Sequence, residues 1–263
     1  MSFFEGQFIN DGTTPHFAEH LSQSNQEATP ANIALFNASK AGSMVSVQNA
    51  LANGAKPNFF FNPEDSKNSL HIASEEGHTD VVNELLANGA VADCLVVSSK
   101  DTALTLACRM ERDAIAAALI KAGADVNHAN MYGNTSLHET IREDFLGLAK
   151  KLIKAGADIN IQNHKGSSAL HFLCYASREE VSDIHMSQEL AKELISGGAN
   201  VNVADHEGCT PFLVCCASGR EDLMNILIEH GADVTVADHH KRFAADVADF
   251  YHHPHISSRF LKK

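Results

Sequence analysis

The stretch SLHIASEEGHTDVVNELLANGA, residues 69–90, contains the pattern that decides the fold. Gly77 divides it into two short segments, and the second segment ends at Gly89-Ala90. In that second segment the pairs Val81-Val82 and Leu85-Leu86 place apolar residues on one face of a helix. A glycine ends such a helix easily, because it adopts the left-handed conformation without a Cβ clash. The stretch therefore predicts two short helices joined by a turn.

The Gly-Ala ending of this stretch recurs along the chain at a nearly constant spacing. Successive glycines are separated by 35, 34, 33, 42 and 33 residues. A period near 33 residues is typical of repeat architectures, in which each unit packs only on its neighbours. The six pairs begin at Gly54, Gly89, Gly123, Gly156, Gly198 and Gly231.

Other motifs repeat in phase with Gly-Ala. A Thr or Ser that can cap a helix precedes the first apolar segment, and at Thr210-Pro211 a proline occupies the first turn, where no N–H donor is needed. After Gly-Ala comes a polar turn such as Asp125-Val126-Asn127, which leads to a second glycine such as Gly133. The repeating unit is therefore a hairpin followed by helix, turn and helix.

These motifs resemble the ankyrin repeat family, whose pattern is Thr-Pro-Leu-His-x-Ala, Gly-His, two pairs of Val or Leu, and Gly-Ala-Asp-Val-Asn. The resemblance covers roughly residues 30–263. It implies an all-α solenoid of about seven stacked helix-turn-helix units with β-hairpin-like loops, in a single domain. The expected repeats are 30–62, 63–97, 98–130, 131–163, 164–205, 206–238 and 239–263, of which the two outermost are capping repeats. We expect residues 1–29 to form a partly ordered N-terminal extension with a short helix near residues 16–22.

Three departures from the pattern are visible. The run Phe59-Phe60-Phe61 lies in a hairpin lengthened by two residues, and it either packs beneath that hairpin or leaves an apolar patch. Glu111 and Asp144 replace the glycine between the two helices of their repeats. The fifth repeat has nine extra residues between Ser177 and Leu190, and we expect them to lengthen the turn between its helices.

Charge and composition narrow the functional classes. The net charge is −13 with histidine counted as neutral, which disfavours a nucleic-acid partner and favours a protein with a basic or mixed apolar and basic surface. No segment approaches the ~18 apolar residues that a membrane span needs. The six cysteines form no zinc-binding spacing, and free thiols indicate a reducing compartment. We expect a monomer in the cytoplasm or in the nucleus.

No motif indicates catalysis, a cofactor or a metal. The predicted function is therefore that of a scaffold or adaptor that binds a partner protein through the concave face of the solenoid. The alternative is a regulatory or targeting subunit of an enzyme complex, such as an assembly chaperone or an inhibitor, without catalysis of its own. An enzyme is the competing class.

Several histidines and cysteines have both a functional and a structural interpretation. The resemblance implies that His71, His138 and His171 bond the hairpin backbone and join adjacent units. Cys174 and the pair Cys215-Cys216 are either core residues or candidate nucleophiles, and we favour the core. The histidines near the C-terminus are either a solvated cap or a metal site, but Pro254 disrupts helical ligand spacing.

The resemblance places partner contacts at the hairpin tips and at the exposed ends of the first helices. Tyr, Met and Arg at such positions are the residue types that most often anchor interfaces. The candidate partner-binding residues are Arg109, Met110, Met131, Tyr132, Arg142, His164, Lys165, Tyr175, His206 and Glu207.

Three asparagines in the polar turns, Asn127, Asn160 and Asn202, have two interpretations. Ankyrin turns of this type resemble substrates of an asparaginyl hydroxylase, which makes these residues candidate hydroxylation sites. The structural interpretation is that each amide bridges neighbouring turns.

Overall fold

The computed structural model describes residues 29–60, 67–175 and 181–261. Within these ranges the chain forms fourteen α-helices in seven consecutive pairs, which we call units 1 to 7. The pairs are α1 (Pro30–Ala41) and α2 (Met44–Ala52), α3 (Ser69–Glu76) and α4 (Thr79–Ala87), α5 (Ala103–Arg109) and α6 (Asp113–Lys121), α7 (Ser136–Arg142) and α8 (Leu146–Lys154), α9 (Ala169–Tyr175) and α10 (Val181–Ser196), α11 (Pro211–Ser218) and α12 (Glu221–Glu229), α13 (Ala244–Phe250) and α14 (Pro254–Phe260).

The units stack in two layers of helices. The first helices form one continuous row, since each of α1, α3, α5, α7, α9, α11 and α13 packs on the next. Second helices pack on one another in the other layer, as α4 does on α6 and α10 does on α12. The predicted all-α solenoid is confirmed.

Several of the first helices begin at a side-chain cap. The Thr29 hydroxyl accepts a hydrogen bond from the Asn32 N–H at 3.2 Å, and the Thr210 hydroxyl accepts one from the Leu213 N–H at 3.4 Å. In both helices a proline follows the cap. These side chains satisfy N–H groups that the first helical turn leaves without a partner.

Buried aliphatic side chains fill the space between the layers. Leu70 and Leu85 of unit 2 are fully buried, as are the equivalent leucines of units 3 and 4. Full burial of one such side chain stabilises the fold by about 1.5–3 kcal/mol. Cys108, Cys174 and Cys216 occupy one shared repeat position and are fully buried too. Burial raises the pKa of the Cys108 and Cys216 thiols to about 12, so both are protonated and unreactive.

The turns keep the glycine conformation where glycine is missing. Glu111 and Asp144 have φ of 53° and 70°, in the left-handed region that Gly77 occupies in unit 2. Lys100 and Lys241 do the same at hairpin tips, with φ of 55° and 63°. This conformation costs an L-residue about 1–2 kcal/mol. The packing of the stack therefore sets the turn geometry, against the local preference of these residues.

The extra residues of unit 5 differ from expectation. We expected them to lengthen the turn, but α10 begins at Val181 and has 16 residues, against nine in α8 and in α12. The extra residues within the described range therefore extend the second helix at its N-terminal end. Ser187 lies in this extension, is buried, and accepts a hydrogen bond from Arg220 of unit 6 at 2.7 Å. The extension therefore contacts the next unit through Ser187.

Two sequence-based expectations lie wholly or partly outside the described residues. The N-terminal extension, with its helix near residues 16–22, precedes the first described residue, Thr29. Of the phenylalanine run, Phe59 is buried and Phe60 is half-buried beside the ring of His71, with 6.5 Å between ring centroids. The Phe59 ring is thus shielded from solvent and the Phe60 ring partly so, and Phe61 with the rest of the lengthened hairpin, residues 61–66, is outside the described residues.

Of the three histidines that the family resemblance implied would join consecutive units, His71 and His171 do so, whereas the buried Nε2 of His138 has no hydrogen-bond partner among the described residues. The Asn68 N–H donates to His71 Nδ1 at 3.1 Å, and His71 Nε2 contacts the Cys94 carbonyl oxygen at 2.8 Å. A backbone N–H can only donate, so Nδ1 carries no proton and the neutral ring donates from Nε2. His171 repeats this arrangement with the carbonyl of Cys209 at 3.0 Å. Both carbonyls belong to the hairpin that leads into the next unit.

These histidines make stability dependent on pH. Burial lowers the pKa of His71 and of His138 to about 4, whereas an unfolded chain titrates near 6.5. The unfolded state therefore binds more protons between these values, and stability must fall as the pH drops through this window, by at most about 3 kcal/mol per histidine. Urea unfolding at pH about 7 and about 5 measures the loss. His71→Gln should reduce this dependence, and the exposed-site control His185→Gln should not. Equal pH dependence in all three proteins would contradict the assignment.

Candidate functional site

Main-chain hydrogen bonds link the hairpin tips of successive units. Each tip donates one backbone N–H to a carbonyl oxygen of the preceding tip. The bonds are Met131 to Ser99 at 2.8 Å, His164 to Tyr132 at 3.0 Å, His206 to Lys165 at 2.9 Å and His239 to Glu207 at 2.9 Å. The predicted tip residues are therefore brought together in one row. Within this row, backbone N–H groups are already bonded to carbonyl oxygens of neighbouring tips.

An Asn or Asp at the base of each tip shapes the turn, which sequence reasoning missed. Asn130 Oδ1 accepts from the N–H groups of Tyr132 and Asn134, at 3.0 and 3.1 Å. Asp205 does the same with Glu207 and Cys209, at 2.9 Å each. The signal was available, since an Asn or Asp stands three residues before each tip glycine of units 4 to 6.

The tip glycine also permits a close contact between units. Gly133 has φ of 76°, and a Cβ placed there would lie 2.6 Å from the backbone N of His164 and 2.8 Å from its ring. The His164 ring therefore lies against the preceding tip, and His206 lies in the same way against Gly166. Both histidines have a packing role besides their predicted binding role.

The tips share a surface with the C-terminal ends of the first helices. Contacts between residues eight apart show this in three units: Lys67 to Glu75 at 2.7 Å, Asp101 to Arg109 at 3.0 Å, and the Arg242 guanidinium over the Phe250 ring at 5.3 Å. We call this surface, formed by the tips and by the first-helix ends of all units, the tip-and-helix face.

The predicted partner-binding residues all lie on this face, and most are exposed. Met110 and Met131 are each 42% exposed, Tyr132 is 61% and Tyr175 is 77%. The side chains of His164, Lys165, His206 and Glu207 are exposed at the tips. Sequence reasoning missed the two aromatic residues that continue the row in unit 7, Phe250 and Tyr251, which are 63% and 47% exposed.

Arg109 and Arg142 are less available than predicted, because buried carboxylates hold them. Asp101 and Glu139 are 1% and 2% exposed. Asp101 accepts from Arg109 at 3.0 and 3.1 Å, and Glu139 accepts from Arg142 at 2.6 and 2.9 Å. Glu143 lies 2.6 Å from Arg142. The two arginines are therefore largely neutralised, and they position the face as part of a network.

Amide groups complete this network across units 3 to 5. Glu139 Oε1 accepts from Asn130 at 3.1 Å and from Asn134 at 3.0 Å. Burial alone would raise the pKa of Glu139, but the hydrogen bonds from Asn134 and Arg142 and the charges of both arginines outweigh it and lower that pKa. Units 2, 3, 5 and 6 have an apolar residue at the position equivalent to Glu139. Glu139 is therefore an exception to the repeat that is visible in the sequence.

The three candidate hydroxylation sites bridge consecutive units. Asn127 Oδ1 accepts from the Asp158 N–H at 2.7 Å. Asn160 accepts from the Asn200 N–H and donates to the Gly198 carbonyl, both at 3.0 Å. Asn202 makes the equivalent pair with Asp233 and Gly231, at 2.8 and 3.0 Å. The amide bridge predicted as the structural interpretation is confirmed, and hydroxylation stays a prediction.

Two findings concern the alternative chemistries. In the described ranges no group of three or more His, Cys, Asp or Glu side chains is placed to hold a metal ion, and the C-terminal histidines form no such group. Cys174, Cys215 and Cys216 are fully buried.

Among the helices between Thr29 and Leu261 that the structure describes, none is long and apolar enough to cross a bilayer.

Comparison with known proteins fits this architecture. A family model described as ankyrin repeats (3 copies) matches residues 35–130, 91–163 and 137–238. The chain belongs to the ankyrin repeat family. Ankyrin repeats are protein–protein interaction modules built on a non-catalytic fold.

Two individual proteins show how far the similarity extends. The ankyrin repeat protein aligns over 75 residues with the Neurogenic locus Notch protein of Drosophila melanogaster at 35% identity. That alignment covers 28% of this chain, and the chain spans only 3% of the length of the Notch protein. The crystal structure of the human ASB11 ankyrin repeat domain matches with a TM-score of 0.68 and 21% identity, over 84% of this chain and 91% of that chain. At this identity the likeness shows the fold alone.

The Glu139 network gives a stability prediction. Glu139→Gln replaces a carboxylate oxygen with an NH2 group among the donors Arg142, Asn130 and Asn134, and should destabilise the chain by about 2 kcal/mol, because buried hydrogen-bond donors then lose their acceptor. The matched control Glu143→Gln lies at the edge of the same cluster and should cost less than about 1 kcal/mol. Urea unfolding midpoints compare the two variants. Equal midpoints would show that Glu139 does not hold the face together.

Hydroxylation is tested separately. The hydroxylation interpretation predicts added oxygen in the intact mass of the protein purified from its native host, mapped by peptides to Asn127, Asn160 or Asn202, and the purely structural interpretation predicts the unmodified mass. The unmodified mass alone would overturn the hydroxylation interpretation.

Proposed function

We propose that this ankyrin repeat protein is a scaffold or adaptor that binds a partner protein through its tip-and-helix face. One observation carries the proposal. The chain has three tyrosines, Tyr132, Tyr175 and Tyr251, and all three lie exposed on this face. Tyrosine is enriched at interfaces because it offers a large, rigid contact area with a polar tip.

Exposed methionine and phenylalanine side chains add to the same surface. Twelve large hydrophobic residues are exposed in the described ranges, and half of them lie at the tips or first-helix ends. The six are Met110, Met131, Tyr132, Tyr175, Phe250 and Tyr251. This concentration on one side supports a binding face, since exposed apolar residues on a solvated surface are normally scattered.

The charge of the chain supports a basic or mixed apolar and basic partner surface. The net charge of −13 attracts cations at long range and repels nucleic-acid backbones. At short range Arg109 and Arg142 add little positive charge, because Asp101, Glu139 and Glu143 are paired with them. The apolar anchors would then supply affinity, and the acidic surroundings would supply attraction and orientation.

The alternative stated above is a regulatory or targeting subunit, such as an assembly chaperone or an inhibitor of an enzyme complex. It would use the same face, so the two roles differ in what the partner does and not in how it is held. We propose that the protein acts as a monomer in the cytoplasm or nucleus. The protonated, buried thiols are consistent with such a reducing compartment.

The test is loss of a partner on mutation of the face. Affinity capture from native lysate identifies partners, and titration with the purified partner then gives Kd. Met131→Ala combined with Tyr132→Ala should weaken binding at least about tenfold, since truncating two anchors typically costs more than 1 kcal/mol each. Val45→Ala, at an exposed site on α2, is the matched control. Unchanged binding in the double variant would refute the proposed face.

A further inference from the structure

The outer side of unit 1 is a helix surface that no described unit precedes. Two positions on this side are buried in units 2, 3, 4 and 6, and in unit 2 they are Ser69 and Val81, 2% and 1% exposed. Their equivalents in unit 1, Ala34 and Ser46, are exposed. A mainly apolar groove runs here between α1 and α2. We call it the cap groove and define it by Ala31, Ala34, Ser46 and Ala50.

The cap groove is open because its side chains are small. Where unit 1 has Ser46, units 2 to 6 have a large aliphatic side chain. The Ser46 hydroxyl accepts a hydrogen bond from the Ser43 hydroxyl at 2.8 Å, so its polar group has a partner within the unit. The other three residues of the groove are alanines. An apolar side chain can therefore enter without leaving a buried polar group unpaired.

The chain itself enters beside this groove. Thr29, the first described residue, and Pro30 lie at its edge, so residues 1–28 are attached directly next to it. The linker from Leu21 to Thr29 spans at most about 29 Å. Packed helices lie about 8–10 Å apart, so the whole groove between α1 and α2 is within that reach. A short tether raises the local concentration of the attached segment to about millimolar.

The composition of residues 1–28 favours contact with an apolar surface. They contain four of the 14 phenylalanines of the chain, although they make up only about a tenth of its length. Segments that stay unfolded in solvent are instead poor in aromatic residues.

The pattern within this segment identifies the side chains that would make the contact. Phe17, Ala18 and Leu21 have the i, i+1, i+4 spacing that also places apolar residues on one face of α4. Thr14-Pro15 precedes them with a cap residue and a first-turn proline. The sequence thus predicts an amphipathic helix whose apolar face contains Phe17 and Leu21.

Charge does not oppose this contact. Residues 1–28 have four acidic side chains and no Lys or Arg. They meet no carboxylate at this end of the stack, since residues 29–60 contain two lysines and no Asp or Glu. One of these lysines, Lys56, donates its backbone N–H to Asn32 in the first turn of α1, at 2.8 Å. Exposed charge pairs add little affinity, so the apolar side chains and the tether determine the contact.

We propose that residues 14–22 fold back on unit 1 as its N-terminal cap, with Phe17 and Leu21 seated in the cap groove. The segment takes the place that the preceding unit takes in each later unit, and it closes this end of the stack to a second chain. The cap groove shares no residue with the partner-binding candidates, so this inference goes beyond the proposed function and does not depend on it.

The sequence contains no tryptophan, so one introduced indole reports on the segment in the whole 263-residue chain. Phe17→Trp should emit at a shorter wavelength than Ser24→Trp in the linker, and acrylamide should quench it several-fold less, because the groove shields position 17 from water. Ala34→Arg combined with Phe17→Trp fills the groove and should shift the emission to that of Ser24→Trp. Gln48→Arg is the matched control, because it adds the same charge at an exposed site of α2 outside the groove and should leave the emission unchanged.

Each outcome decides for or against the cap. Equal emission and quenching of Phe17→Trp and Ser24→Trp overturns it. A shielded reporter that Ala34→Arg does not expose overturns the groove as its seat. Shielding that disappears on dilution identifies a second copy of the chain as the host and overturns the intramolecular cap. Far-UV circular dichroism of each variant confirms that the helical repeats are kept.

Discussion

The contact between consecutive units is the interaction on which the rest of this structure depends. A unit of about 33 residues cannot bury enough apolar surface to fold alone, so its core exists only against a neighbour. Three kinds of hydrogen bond keep neighbours in register: tip backbone to tip backbone, buried histidine to hairpin carbonyl, and Asn amide to the next turn. Each kind of bond recurs along the chain, so the stack is held together by contacts between neighbouring units.

The binding face follows from this same contact. Because the tips use their main chain to bond one another, only their side chains remain for a partner. The left-handed turns at Lys100, Glu111, Asp144 and Lys241 show that the stack imposes its geometry even where the residue resists it. The most exposed side chains at tips and helix ends carry no share of the apolar core. The exposed tyrosines occupy such positions.

Much of the fold could be read from the sequence, because the repeat puts each residue type in register with its equivalents. The glycine spacing, the caps at Thr29 and Thr210 and the buried cysteines are local or periodic signals. The extra residues of unit 5 were located correctly, but neither their helical conformation nor the bond of Ser187 to Arg220 of the next unit is encoded by the period. Length anomalies give the place of an insertion and not its structure.

The candidate face was only partly readable. Tyr132 and Tyr175 were found from their positions in the repeat. The pairing of Arg109 and Arg142 with buried carboxylates was missed, because Glu139 breaks the apolar pattern at its repeat position but an exception to a pattern does not name the partners that hold it. Phe250 and Tyr251 were overlooked because the last unit departs most from the pattern, although they stand at the same helix-end positions.

The central claim is that recognition uses the tip-and-helix face, and side-chain footprinting tests it most directly. Hydroxyl radicals oxidise exposed Met, Tyr and Phe side chains, so free chain and complex with a purified partner can be compared residue by residue. The account predicts protection of Met131, Tyr132 and Tyr175 and no change at Met186, which is exposed on α10. Protection of Met186 with unchanged oxidation of Met131, Tyr132 and Tyr175 would contradict it.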